Sequence, residues 1–202
     1  MLTVDELAFE AGSRQILAPT TFSIDPGTAV AVIGPNGAGK STLLRIICGF
    51  LTPTSGTYRR GADLVWVPQR GPIEPMLTVN EYLRVASRSL EGLTLANVST
   101  ELERLGFARC SSEQPLMSLS GGERRKIQLA MALARTEAAL LVLDEPTAPL
   151  DRESSERFWE GVELRVAKGA GVAFVSHSGA ETTRADDVVR LGSSEHPVSG
   201  AR

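Results

Sequence analysis

The chain reads as an α/β fold, a parallel-sheet core interrupted by a helical insertion, and three observations carry that reading. Short apolar runs recur at Val30–Ile33, Leu64–Val67, Ala139–Leu143 and Gly171–Val175, each of strand length. From Gly71 to about Thr136 strand character disappears and capped, amphipathic helical patterns replace it. The first apolar run leads straight into Gly34-Pro35-Asn36-Gly37-Ala38-Gly39-Lys40-Ser41-Thr42, which satisfies the phosphate-loop pattern G-x-x-x-x-G-K-[ST] between a strand and a helix.

Taken in order, Leu2 to Phe9 alternates as a half-buried strand and Thr20 to Ile24 reads as a second. Asp25-Pro26-Gly27 is a turn into the strand Thr28–Ile33. A helix follows from Lys40 to Gly49, where glycine suits a C-terminal cap. Leu51 to Gly56 is a loop by composition, and Leu64–Val67 is a short strand stopped by Pro68 and followed by Gln69. Within the insertion, Thr78-x-x-Glu81 is a capping box opening a helix through about Ser89. A second helix spans Val98 to Leu105 and stops at Gly106, and Ser120-x-x-Glu123 opens a third from Gly121 to about Arg135. Then come the strand Ala139–Leu143, a helix from Arg152 to about Lys168, the strand Gly171–Val175 and a short strand at Val188–Leu191. The division expected is one domain with its core in residues 1–70 and 137–192, a helical part over about 71–136, and a polar, mobile tail over 193–202.

The phosphate loop carries the first chemistry. Glycines at 34, 37 and 39 let the backbone take turns closed to other residues and bring its N–H groups close to an anion. The helix that starts near Lys40 adds its unpaired donors and positive dipole end. Lys40 would set a charge between β- and γ-phosphates, and the Ser41 hydroxyl would ligate Mg²⁺. A second constellation closes the strand Ala139–Leu143 with Asp144-Glu145-Pro146. Acids at the carboxyl end of a parallel strand sit where ligands collect, Asp144 suited to Mg²⁺ and Glu145 to polarising a water. Leu119-Ser120-Gly121-Gly122-Glu123 is a third; on physical grounds alone it reads first as a well-capped helix and second as another anion-binding helix start.

Composition narrows the classes. At 202 residues and a net charge of −3 the chain offers no basic field for nucleic acid. Two cysteines, Cys48 and Cys110, build no disulfide framework, and Cys48 in an apolar helical stretch reads as a small core residue. The first ten residues lack the pattern of a signal peptide and no apolar run is long enough to span a membrane, so a cytoplasmic location is the expectation.

These motifs, in this order, resemble the nucleotide-binding subunits of ABC transporters over residues 1 to 192: the phosphate loop, Gln69 as the Q-loop, the Leu119–Glu123 signature, the Asp144-Glu145 pair, and His177 after an apolar strand. The resemblance implies a P-loop NTPase (RecA-like) core with a family-specific helical subdomain. It implies a head-to-tail homodimer with two ATP molecules between the subunits, each touching one phosphate loop and the other copy's Ser120, Gly121 and Gly122. Glu145 would be the general base, His177 would sense the γ-phosphate, Gln69 would link Mg²⁺ and water to a membrane-spanning partner, and Asp151 would belong to the D-loop that talks across the dimer. The subunit would sit on the inner face of the plasma membrane through that partner. Pro149 departs from the small or polar residue that many members carry in the D-loop. No aromatic residue is clearly placed to stack on adenine, Phe9 and Arg14 being the candidates. The surface from Gln69 to Tyr82, with Met76 and Leu77, would either receive a partner helix or form subdomain core. Val67-Pro68-Gln69-Arg70 followed by Pro75 to Asn80 is similar to subunits of zinc- or manganese-type metal importers, while the compact length resembles those of small exporters, including haem exporters. A soluble ABC-type ATPase of cofactor assembly is a further alternative; a chromosome-type ATPase, which needs a long coiled-coil insertion, fits poorly.

Overall fold

A computed structural model describes residues 1–61, 63–71, 76–107, 113–137 and 139–192. Pro75, Cys110 and the tail expected to be mobile lie outside the described residues. Eight strands and six helices follow one another as β1 (Leu2–Ala11), β2 (Arg14–Ile24), β3 (Ala29–Ile33), α1 (Lys40–Ile47), β4 (Ser55–Arg60), β5 (Leu64–Val67), α2 (Val79–Ser89), α3 (Leu95–Arg104), α4 (Gly121–Ala134), β6 (Leu140–Asp144), α5 (Arg152–Ala167), β7 (Gly171–Val175), α6 (Gly179–Thr182) and β8 (Asp187–Arg190) among the described residues. One 3₁₀ turn, Leu116–Ser118, precedes α4.

The strands form two sheets. The larger is parallel, in the order β5-β6-β7-β3-β8, and the smaller is antiparallel, in the order β2-β1-β4. Alternate side chains of the parallel strands point to opposite faces, and this alternation builds two cores. Ala31, Val65, Leu141, Leu143, Val172 and Phe174 pack against side chains of α2 to α5. Val30, Val32, Leu140, Val142, Ala173 and Val175 pack on α1 and on the antiparallel sheet through Leu17, Leu7 and Ile24. A sheet covered on both faces explains why its strands read as unbroken apolar runs rather than as alternating ones.

The expected elements are present; β4 and the four-residue α6 are additions to them, and β2 and α3 begin earlier than expected. β2 begins at Arg14, not Thr20, and runs through Pro19; it is an edge strand, where a residue without an N–H is tolerated. β4 takes up Ser55 and Gly56, which were expected in a loop, and its exposed Ser-Gly-Thr-Tyr-Arg-Arg sequence shows no apolar alternation. α3 starts at Leu95, capped by Thr94 through the Asn97 amide, three residues before the expected start at Val98. Both expected capping boxes are formed, at Thr78/Glu81 and Ser120/Glu123. Each satisfies two helix-terminal donors that would otherwise lack partners. Cys48 packs half-buried against the second core, and burial pushes its thiol up to about 12, which makes it an inert apolar filler. Among the described residues no helix is long and apolar enough to cross a membrane.

Candidate active site

Strand order gathers the motifs. The phosphate loop leaves the carboxyl end of β3, Asp144 ends β6, His177 follows β7 and Gln69 follows β5. Because β5, β6, β7 and β3 are consecutive parallel neighbours, all four segments emerge on one edge of the sheet. Asp144 pairs in register with Val175 of β7, which itself pairs with Val32 of β3, so the acid pair and the phosphate loop are two strands apart.

The loop from Gly34 to Gly39 is a backbone cradle. Gly34, Gly37 and Gly39 all have positive φ, 151°, 82° and 92°. Pro35, Asn36 and Gly37 are exposed, Ala38 is half-buried, and Gly39 is the N-cap of α1, without a side-chain capping bond. Lys40 is 8% exposed, and its ammonium donates to the carbonyls of Gly34 at 2.8 Å and Pro35 at 3.0 Å. The lysine thus holds the loop closed on itself with charge-assisted bonds. Ser41 and Thr42 follow in the first turn of α1, half-buried.

Asp144 is buried, and the Ser41 hydroxyl hydrogen-bonds its carboxylate. Burial pushes its pKa up; the Ser41 bond opposes this, the Glu145 charge adds to it, and Arg125 and Arg45 pull it back. Ser41, Gln69 and Asp144 share an open hollow of about 400 Å³ with Arg45, Phe50 and Trp66. Hard oxygen donors on a buried, charge-strained carboxylate suit Mg²⁺, which takes few protein ligands and keeps water or phosphate oxygens. Among the described residues no group of three or more His, Cys, Asp or Glu could hold a metal ion by itself.

Glu145 is the convergence point. Its Oε2 accepts from Gln69 Nε2 at 2.8 Å, and its Oε1 lies 3.0 Å from His177 Nε2. Its backbone is left-handed, φ 45°, and its amide donates to the Val175 carbonyl at 3.0 Å. A non-glycine residue in this region costs about 1–3 kcal/mol and persists only where its surroundings hold it. Three residues far apart in the chain therefore meet around one carboxylate at a strained turn.

The signature helix start borders this cluster through Gln69, with which it shares a hollow. Ser120 caps α4, accepting from the Glu123 amide at 3.2 Å, while its own amide donates to the Glu123 carboxylate at 2.7 Å. Gly121 borders a second open hollow, of about 410 Å³, with Gln69, Arg70, Met117, Arg124 and Pro149. A Cβ on Gly122 would come within 3.2 Å of the Pro149 carbonyl, so the helix start and the segment before Asp151 are packed together. Asp151 caps α5, its two oxygens accepting from the Ser154 amide and hydroxyl, both at 2.8 Å, with Lys126 at 3.6 Å. The Ser154 amide bond leads the causes that hold its carboxyl below the usual range. Phe9 is half-buried against the second core and pairs with Leu17, whereas Arg14 is exposed at the start of β2. Leu77 and Tyr82 pack on the first core, and Met76 is 81% exposed.

Two bracing groups escaped the sequence reading. Glu181 accepts from Ser176 at 2.6 Å and from Thr147, and so ties the residue before His177 to the turn after Glu145. Arg125 sits on the buried face of α4 one turn before Leu129, and its guanidinium reaches the carbonyls of the Asp144–Pro146 turn. The available signal was a charged residue at helical spacing with apolar neighbours, 125 with 129 and 133.

Comparison with known proteins agrees with this geometry. The profile of the ABC transporter family matches residues 17–148. The zinc import ATP-binding protein ZnuC of Yersinia enterocolitica is 36% identical over 182 residues, covering 88% of this chain and 70% of that protein. The cytochrome c biogenesis ATP-binding export protein CcmA of Cupriavidus pinatubonensis is 37% identical over 191 residues, covering 88% of this chain and 83% of that protein. Among solved structures, an ATP-binding subunit of an ABC transporter superposes with a TM-score of 0.82 at 26% identity, over 95% of this chain and 85% of its own. A P-loop NTPase core with a phosphate loop, a signature helix and a strand-end acid pair, matched along most of its length, places the chain in the ABC transporter family as an ATP-binding domain.

Proposed function

We propose that Glu145 is the general base for ATP hydrolysis in this ABC ATPase, and that hydrolysis drives a membrane-spanning partner that imports metal ions. The observation that carries the catalytic part is the grip of Gln69 and His177 on both oxygens of Glu145, beside the Ser41–Asp144 pair. In this reading the loop amides of residues 34–42 and Lys40 bind the phosphates. A water then gives its proton to Glu145 while its oxygen attacks the γ-phosphorus; the bond to the β-phosphate oxygen breaks, leaving ADP and inorganic phosphate. Ser41, Asp144 and, through water, Gln69 would hold Mg²⁺, which when bound offsets phosphate charge. His177 would orient Glu145 and sense the γ-phosphate. Ser120, Gly121 and Gly122, with Asp151 behind them, would complete the site of a second copy, closing a homodimer over two nucleotides. Coupling to the partner passes through the segment from Gln69 to Tyr82, where Met76 stands free of the core.

Metal import rests on the zinc import relative at 36% identity. A second reading, an exporter of haem or a small molecule, is favoured by the equally similar cytochrome c biogenesis export relative at 37%. Purification of the tagged chain from its native membranes, reconstitution of what accompanies it in vesicles, and ATP-dependent accumulation of radiolabelled zinc or manganese test the first reading. Metal uptake that stops in Lys40→Ala supports it. Absence of metal uptake with ATP-dependent haem movement supports the second, and accompanying proteins that are all soluble contradict both.

A further inference from the structure

Arg125 is 3% exposed, yet no carboxylate is within ion-pairing distance among its described contacts. Its partners are instead carbonyls: Nε donates to Pro146 O at 2.7 Å, Nη1 to Pro68 O at 2.6 Å and to Gln128 Oε1 at 3.2 Å, and Nη2 to Asp144 O and Glu145 O, both at 3.1 Å. Burying a cation without a direct counter-ion is expensive, and an apolar side chain would fill the same space without that cost. Burial lowers the guanidinium to about 10, opposed by the charges of Asp144 and Glu145, so it stays protonated at neutral pH.

The identity of the acceptors shows what the charge is for. Two segments are joined, the residue before Gln69 and the three-residue turn that carries Glu145. The carbonyls of Asp144, Glu145 and Pro146 are all fixed by one planar fork, so Glu145 cannot leave its left-handed conformation without breaking these bonds. Gln69 and Glu145, which hydrogen-bond to one another, are thereby set from the same atom group. Arg125 also lies about one turn into the helix that Ser120 caps. A shift of the signature helix would be felt at the base through a rigid lever.

We propose that Arg125 is a positioning residue that fixes the backbone of the Asp144–Pro146 turn and of Pro68, and so aims Glu145 and Gln69 and couples them to the signature helix. The inference rests on Glu145 being the general base. A lysine at this position keeps the charge but offers a single ammonium without the fork, so it cannot hold both segments at once.

The test uses the full chain as Arg125→Lys, Arg125→Met, Glu145→Gln and the double variant Arg125→Lys/Glu145→Gln, with turnover and ATP affinity measured for each. Arg125→Lys is expected to lower kcat about 10- to 100-fold, the range for a catalytic group displaced by about an ångström, with ATP affinity within about twofold of the parent. Arg125→Met is expected to lose at least as much; should it fail to fold, the lysine variant carries the test. The double variant is expected to turn over no more slowly than Glu145→Gln alone, because an effect routed through the carboxylate vanishes with it. Unchanged turnover in Arg125→Lys, a parallel fall in ATP affinity, or an equal loss in both backgrounds overturns the proposal. A parental rate in Glu145→Gln alone is a different failure, that of the base assignment, and takes the proposal with it.

Discussion

The phosphate loop is packed against the antiparallel sheet at one glycine and open to solvent at another, and this contrast sets a quantitative expectation. Alanine at Gly37 or Gly39 meets the same backbone problem, since φ is 82° and 92°, at about 1–2 kcal/mol for an L-residue, offset by about 0.4–1 kcal/mol from a less flexible unfolded chain. The surroundings differ. A Cβ on Gly37 has nothing within 4 Å, whereas one on Gly39 would lie 2.5 Å from the Ile16 carbonyl oxygen and 3.2 Å from both Leu17 Cα and Cβ. These are mostly backbone atoms of β2, which cannot swing aside, so overpacking adds about 1–3 kcal/mol. Gly37→Ala should therefore cost about 1 kcal/mol and Gly39→Ala about 2–4 kcal/mol. At about 2–4 °C per kcal/mol for a chain of this size, Tm falls by roughly 2–4 °C in the first and 4–16 °C in the second. Thermal unfolding followed by circular dichroism reads both. Equal losses, or a larger loss in Gly37→Ala, would refute the packing of the loop on β2.

Three further outcomes follow from particular contacts. Lys40→Ala removes both a phosphate ligand and the two bonds that hold the loop to itself, so ATP affinity by calorimetry should fall by about 10- to 150-fold, the range for charge-assisted bonds worth 1.5–3 kcal/mol. Because burial raises the Asp144 pKa in the folded state, that state holds its proton to higher pH than the unfolded chain does. Stability is therefore lost as pH rises from the ordinary carboxylate value through the raised one, and Asp144→Asn should raise Tm at neutral pH and flatten that decline in a pH series. The Trp159 indole N–H is buried without a partner among the described residues, and its ring packs edge-on against Phe158 and Phe174 at 5.4 and 4.8 Å. Trp159→Phe should stay within about 1 kcal/mol of the parent in urea unfolding, since the lost packing is offset by removal of an unpaired donor, while Trp159→Ala should lose about 3–5 kcal/mol.

Local signals were legible in the sequence wherever a few adjacent residues decide the structure. The phosphate loop, the boxes at Thr78/Glu81 and Ser120/Glu123, and the double-sided apolar strands are such cases, while the ABC resemblance rests on the phosphate loop, Gln69, the Leu119–Glu123 signature, the Asp144-Glu145 pair and His177. Edge strands were harder: Pro19 hid the first half of β2, and β4 lacks apolar alternation because it lies at the end of an antiparallel sheet. The meeting of Gln69, Glu145 and His177 depends on strand order, which local pattern does not encode; it was expected only through the family resemblance. Glu181 carries no such local signal and Arg125 only the weak one of a charge on an apolar helix face. Each makes its contacts across elements, to carbonyls and hydroxyls far along the chain, and neither belongs to a short motif with a spacing of its own.

The proposed catalysis requires ATP held between two copies of the chain, with Glu145 removing the proton of the attacking water. The solution mass of Glu145→Gln, by light scattering with and without Mg²⁺-ATP, addresses both halves at once, because removing the carboxylate traps unhydrolysed nucleotide only if that carboxylate is the base. A monomer without nucleotide and a doubling of mass with it are expected. A monomer in both conditions, with ATP demonstrably bound, would contradict the proposed catalysis.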